Sequence, residues 1–268
     1  MAEVAPYLER IGYTGDARPT IETLNALQKA HLLHIPYENL DLMWHCTGSL
    51  EPEVVYEKVV KQMRGGYCFE LNGLFAWLLR QLGYEVTEYF ARWLLGEGPF
   101  PARRHRILKV KAEGEYFIVD AGVGCVCPLT PLKFELDTVQ QRDGRAYRIV
   151  KQDKLGYVIQ TDAGKGFVNF YSFTEDPHWT VDFLYVHYYL AHSPDSIFNY
   201  MAKIHIYTPE GRNFLSDDRD PATGKIVRTV RLGKASGLEK FTIETPEEFY
   251  QVLKDHFMID APFVLKRP

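Results

Sequence analysis

Through the first 83 residues apolar side chains recur every three or four positions, and from Tyr84 onward they gather into short runs separated by Gly, Asp and Pro. The first pattern is that of amphipathic helices and the second that of strands. Over 20–33, Leu24, Leu27 and His31 share a stripe, Pro19 and Thr20 signal a start, and Pro36 pushes Ile35 out of the helical region to end it. A second helix is expected over 51–64, with Val54, Val55, Val59 and Met63 on one face. The third, over 69–82, is the most regular. Leu71, Leu74, Phe75, Leu78 and Leu82 repeat at helical spacing, Trp77 and Leu79 widen the apolar face, and Gly83 closes the helix. A face that broad predicts a central position.

Strand-forming runs come next at 89–95, 106–110, 116–119, 147–150, 157–160 and 166–173, in the rhythm of an antiparallel sheet or barrel. Beyond Asp182 the pattern mixes a helix over 186–190, strands near 203–208 and 227–232, and a last helix over 246–255. With no repeat, low-complexity tract or long linker between them, these parts predict an α+β protein. It divides into an N-terminal helical bundle over 1–83, a central antiparallel β-barrel over 84–185, and a C-terminal α/β segment over 186–268 packed back on both.

Composition narrows the function classes. The chain has 268 residues, 46% apolar and 25% charged, so it can withdraw roughly three quarters of its unfolded surface from water without disulfides or metals. A net charge of −4 argues against non-specific nucleic-acid binding. No apolar window approaches the roughly 18 residues of a membrane span, which predicts no membrane partner. The start Met1-Ala2-Glu3-Val4 lacks a basic-then-apolar leader, which predicts a cytoplasmic protein whose cysteines (46, 68, 125 and 127) stay reduced.

The densest chemistry lies in Arg64-Gly65-Gly66-Tyr67-Cys68-Phe69-Glu70-Leu71-Asn72. The glycine pair permits a turn closed to bulky residues, and Cys68 then sits at the positive end of the third helix, a setting that favours a thiolate. The competing reading is a small core cysteine. A thiolate nucleophile needs a histidine held by a carboxylate or amide, and a hairpin selects one of nine. A two-residue turn at Glu113-Gly114 pairs Ala112 with Glu115 and therefore Ile107 with Asp120. His105 then lies two positions along on the same face, and such diagonal neighbours are about 7–8 Å apart. A three-residue loop would shift the register and separate the two side chains. Standing alone, His105 reads as a strand-edge histidine beside Arg103, Arg104 and Arg106, and Asp120 as a strand-end carboxylate capping the Gly122-Val123-Gly124 turn.

Those two glycines leave backbone N–H groups open to phosphate oxygens, or make an ordinary turn. A single Cys125-x-Cys127, with no second pair at ligand spacing, predicts no metal site. His31 and His34 read as helix-end residues, and the basic run around His105 as a solvated face or a phosphate contact.

These segments, with Ile35-Pro36-Tyr37-Glu38-Asn39-Leu40, Val119-Asp120-Ala121-Gly122-Val123-Gly124 and Ser193-Pro194-Asp195-Ser196-Ile197-Phe198, resemble the arylamine N-acetyltransferases in order from about Tyr7 to Asn213. The resemblance implies that family's bundle, barrel and α/β lid, and a papain-like Cys-His-Asp core. It implies that Cys68 accepts acetyl from acetyl-CoA and passes it to an arylamine or hydrazine by ping-pong chemistry, with His105 as base and Asp120 as its orienting group. Gly122 and Gly124, with Ser193 and Ser196, would contact coenzyme A, and Arg64 with Glu38 would brace the nucleophile turn. Val123 stands where the family usually has Phe, and Cys125 and Cys127 replace small or polar residues. The alternative is a cysteine acyl hydrolase or amide synthase using the same triad; a non-enzymatic binding module would leave Cys68 no more reactive than Cys46.

Overall fold

The computed structural model describes residues 1–98, 100–125 and 127–262. The helix Ile21–His34 starts where the Thr20 side chain accepts the Thr23 N–H at 3.1 Å and ends at Ile35. His31 lies in the last turn, as expected, on the stripe it shares with Leu24 and Leu27, and is wholly buried there.

The second helical segment departs further from its pattern. An α-helix over Pro52–Tyr56 runs into a π-helical turn over Glu57–Lys61. The buried face is Val55, Tyr56, Val59 and Val60, which leaves Val54 46% exposed. The helical segment ends at Lys61, so Met63 lies beyond it at a φ of 54° and is exposed as well, at 45%. The central helix, Cys68–Gln81, begins one residue earlier than its apolar repeat, which makes Cys68 its first residue.

The barrel-like part is one antiparallel sheet of eight strands, nearly closed on itself. Its spatial order is Leu132–Lys133, Glu115–Val119, Arg103–Ala112, Glu85–Trp93, Val168–Phe173, Gly156–Asp162, Arg145–Gln152 and Gln140–Arg142. The hairpin has the predicted register, with Ala112 opposite Glu115 and Leu108 opposite Val119. Glu113 and Gly114 both take positive φ, 50° and 84°, as a two-residue turn matching the strand twist requires.

The alternation of strand residues lets this sheet serve two cores. Ile107 and Ile118 point into the barrel with Tyr147, Ile149, Ile159 and Phe170. Leu108, Val110, Phe117 and Val119 point the other way, onto Phe69, Leu71, Phe75 and Leu78 of the helices. The central helix therefore packs on the outside of the sheet, with its first residue at the rim.

A second sheet orders Tyr37–Glu38, Lys203–Thr208, Gly211–Arg219, Ile226–Lys234 and Gly237–Ile243, and the helix Pro246–Phe257 packs against its core. Its first strand comes from the helical part of the chain, so the N-terminal turn region and the C-terminal segment share backbone hydrogen bonds. The helix expected over 186–190 is longer, Thr180–His192, and lays Phe183 and Leu190 against the first core. Among the described residues no helix is long and apolar enough to cross a membrane.

Candidate active site

The turn before Cys68 is held from both sides. Glu38 N–H donates to the Gly66 carbonyl at 2.9 Å and Gly66 N–H to the Pro36 carbonyl at 3.3 Å. A Cβ on Gly65 would lie 2.1 Å from that Pro36 oxygen, so only glycine fits. Arg64 donates to Glu38 at 2.6 and 3.0 Å and to Asp41 at 2.8 Å, which is the brace the resemblance implied. Lys58 extends it, reaching Asp41 at 2.8 Å and Glu70 at 2.9 Å, while Glu70 accepts the Tyr67 N–H at 3.1 Å. The helix start is thus locked by a buried charge network, and its first-turn N–H groups have no partner within the helix itself.

Cys68 is 5% exposed, and its thiol lies 3.7 Å from the Arg104 carbonyl oxygen. His105 comes next on that neighbouring strand, with Nε2 on Asp120 Oδ2 at 2.6 Å. That leaves Nδ1 for the sulfur. Burial opposes charge on this imidazole, but the Asp120 carboxylate and its hydrogen bond, supplemented by Cys68, overcome it and raise the pKa to about 10. His105 is an imidazolium at neutral pH.

Asn72, one helical turn below Cys68, holds the carboxylate in place. Its Nδ2 donates to Asp120 Oδ1 at 2.8 Å and to the Arg106 carbonyl at 2.6 Å, and its Oδ1 accepts the Ala121 N–H at 2.8 Å. Gly122 N–H donates to Asp120 Oδ1 at 3.1 Å, and the Gln28 side-chain oxygen accepts the Asp120 backbone N–H at 3.2 Å. Sequence reasoning missed the roles of Asn72 and Gln28. Asn72 was visible in the motif at i+4 from Cys68; nothing local marked Gln28.

The basic run around His105 divides. Arg106, 1% exposed, is not part of a solvated face: it donates to Glu88 at 2.6 Å and to the Phe69 carbonyl at 2.8 Å, and its guanidinium lies 4.5 Å from the Phe183 ring centre. A buried glutamate far along the sequence supplied the partner that the local pattern could not show.

A cavity of about 210 Å³ opens onto Cys68 and His105, lined also by Tyr37, Trp93, Gly122, Val123, Gly124 and Cys125. A Cβ on Gly122 would meet Cys68 Cα at 2.9 Å, and one on Gly124 would meet the Tyr37 ring at 2.6 Å. Both glycines are thus required for the close approach of this loop to the helix start. Val123 is 2% exposed and belongs to the barrel core with Tyr89 and Phe173. Burial pushes the Cys125 thiol up to about 12 and that of Cys127, which sits against Tyr207, well above the usual thiol range, so both stay protonated.

Ser193 and Ser196 cap the end of the Thr180–His192 helix. Ser196 donates to the Leu190 carbonyl at 2.8 Å, and Ser193 Oγ accepts the Asp195 N–H at 3.3 Å. Their neighbours Ile197 and Phe198 line the cavity. Among the described residues no group of three or more His, Cys, Asp or Glu is placed to hold a metal.

Residues 20–264 match the model of a family described as N-acetyltransferase. The chain is 33% identical to the arylamine N-acetyltransferase of Mycolicibacterium smegmatis, over 96% of this chain and 92% of that one. It is 34% identical to that of Escherichia coli K12, over 76% of this chain and 73% of that one. Among solved structures it is similar to the arylamine N-acetyltransferase of Mycobacterium marinum in complex with CoA, with a TM-score of 0.86, 29% identity, and coverage of 98% and 94% of the two chains.

Proposed function

Because the chain belongs to the arylamine N-acetyltransferase family, we propose that Cys68, His105 and Asp120 carry its acetyl transfer. The chain is an acetyltransferase whose donor is acetyl-CoA and whose acceptors are arylamines; to these the reading adds hydrazines, which share a weakly basic nitrogen unprotonated at neutral pH. The observation that carries the assignment is the His105–Asp120 contact of 2.6 Å beside a cysteine at a helix start.

In the first half-reaction His105, as imidazolium, pairs with the Cys68 thiolate. Sulfur attacks the acetyl carbon, and the tetrahedral oxyanion receives N–H groups of the helix's first turn, each such donor worth about 3–4 kcal/mol in other enzymes. The C–S bond to coenzyme A breaks, and the departing thiolate takes the proton from His105. In the second, an amine nitrogen attacks acetyl-Cys68, His105 accepts its proton, and the Cys68 thiolate leaves. Thioester is exchanged for thioester and then for amide, so each step proceeds without added energy.

Gly122 and Gly124 form the coenzyme side of the cavity, and Ser193 and Ser196 shape the segment that brings Ile197 and Phe198 to its wall. The bundle, barrel and lid divide at 83 and 185, with the nucleophile on the first and His105 and Asp120 on the second. The cytoplasm supplies both acetyl-CoA and reducing conditions.

Intact-mass measurement after brief incubation with acetyl-CoA tests the assignment. One acetyl group is expected on Cys68 and none in Cys68→Ala. Coenzyme release that continues at the same rate without an arylamine would favour the hydrolase instead.

A further inference from the structure

The cavity over Cys68 has aromatic walls, yet two oppositely charged residues also line it, Glu97 and Arg104. They form an ion pair with each other, Arg104 28% and Glu97 35% exposed. Arg104 precedes His105 in the strand, and its carbonyl faces the Cys68 thiol. Arg104 lines the same cavity as Tyr37, Cys68 and Cys125. Glu97 comes from a tight turn after the strand Glu85–Trp93, closed by its own N–H on the Leu94 carbonyl at 3.2 Å and by Gly96 at a φ of 75°. Lys203, which also lines the cavity, lies 3.6 Å from Asp218.

An arginine at the rim of an aromatic pocket matches the carboxylate of an acidic aromatic ring, which it binds through two parallel N–H bonds. Here a protein carboxylate already fills that place. A pair this exposed is weakly held, so a ligand carboxylate can displace Glu97 from Arg104. The displaced Glu97 still stands nearby as a like charge, and that repulsion is felt only by an anionic ligand.

We propose that Glu97 is a specificity-determining residue: by occupying Arg104 it selects uncharged arylamine acceptors over those carrying a ring carboxylate. The proposal rests on the acetyltransferase reading and concerns the acceptor half-reaction alone.

Steady-state kinetics of the full chain with 4-aminobenzoate and its uncharged counterpart 4-aminobenzamide test it, with the ratio of the two KM values as readout. Glu97→Gln is expected to shift that ratio about tenfold in favour of the benzoate, with kcat for both acceptors little changed, since an uncovered arginine gains a charge-assisted pair. The added substitution Arg104→Gln is expected to return the ratio to its starting value, and Glu97→Ala to reproduce the first shift. The gain is expected to shrink as salt is raised. Equal changes for both acceptors, or none in either glutamate variant, would overturn the selectivity role. Wild-type protein that acetylates neither acceptor would instead overturn the acetyltransferase reading.

Discussion

The barrel rim and the helical bundle each bury a histidine, and the two imidazoles carry opposite charge states. His105 is 5% exposed and His31 fully covered. His31 meets the Tyr7 hydroxyl at 3.0 Å through Nδ1, has no partner at Nε2, and packs edge-on to Phe75 at 5.2 Å. Burial, with Arg10 and His34 adding like charge, lowers its pKa to about 3. His205 in the C-terminal sheet repeats this: burial first, then Arg212, takes it to about 3. Of these three, His105 alone has a carboxylate at 2.6 Å, and its pKa goes to about 10. Desolvation penalises all three rings. What separates a charged imidazole from a neutral one is one anion, itself steadied by Asn72 and the Gly122 N–H.

Removing that anion should convert the first kind of site into the second. Asp120→Asn keeps the shape and loses the charge, so His105 should then titrate as a buried neutral imidazole. If Asp120 orients the base as proposed, turnover falls about 10³–10⁴-fold, the scale on which such a group matters in established triads. Arylamine-dependent coenzyme release measures it. A loss below tenfold would show that the imidazole does not need the carboxylate. Weakening the support of the carboxylate should do less. Asn72→Ala removes a donor to Asp120 Oδ1 while leaving the Gly122 N–H, and about a 100-fold loss is expected, in line with outer-shell partners elsewhere. Because a less firmly held carboxylate supports less charge on His105, the alkaline limb of the rate profile should also move to lower pH. A purely structural residue would lower activity without moving that limb.

Sequence reasoning reached the parts of this site whose geometry is local. The turn at Glu113-Gly114 sets the hairpin register, and register alone puts His105 and Asp120 on one face. The two glycines before Cys68 and the apolar repeat after it place the sulfur at a helix start. Contacts that cross between elements stayed hidden. Arg106 looked like part of an exposed basic run because Glu88, its buried partner, lies on another strand. The strand Gly211–Arg219 escaped notice because one of its inward positions is Asp217, a charge made tolerable inside by Arg228 at 2.7 and 2.8 Å. The second helical segment stops at Lys61, short of the expected 64, so Met63 lies past its end and off the face it was expected to share.

The smallest of these effects is on stability, and it separates the two kinds of histidine by the sign of their pH dependence. A ring whose folded pKa is raised binds its proton more tightly in the native state. The contribution of His105 is therefore fully present below its unfolded pKa of about 6.5 and is lost as pH rises through about 10. A ring whose folded pKa is depressed does the opposite. Below about 6.5 the unfolded chain takes up a proton that native His31 refuses, so stability falls steadily as pH drops toward about 3. From pH 7 to 5 that linkage amounts to about 2 kcal/mol for His31, and to a similar amount for His205. Urea midpoints across this range should therefore decline in the wild type and decline less in His31→Gln, which carries no titrating ring, whatever its stability at pH 7. The readout is the slope with pH, so a uniform loss of stability does not imitate it. If the slope in His31→Gln matched the wild type, the ring would not be held neutral by its surroundings, and burial without a carboxylate would no longer explain why one histidine of the pair is inert.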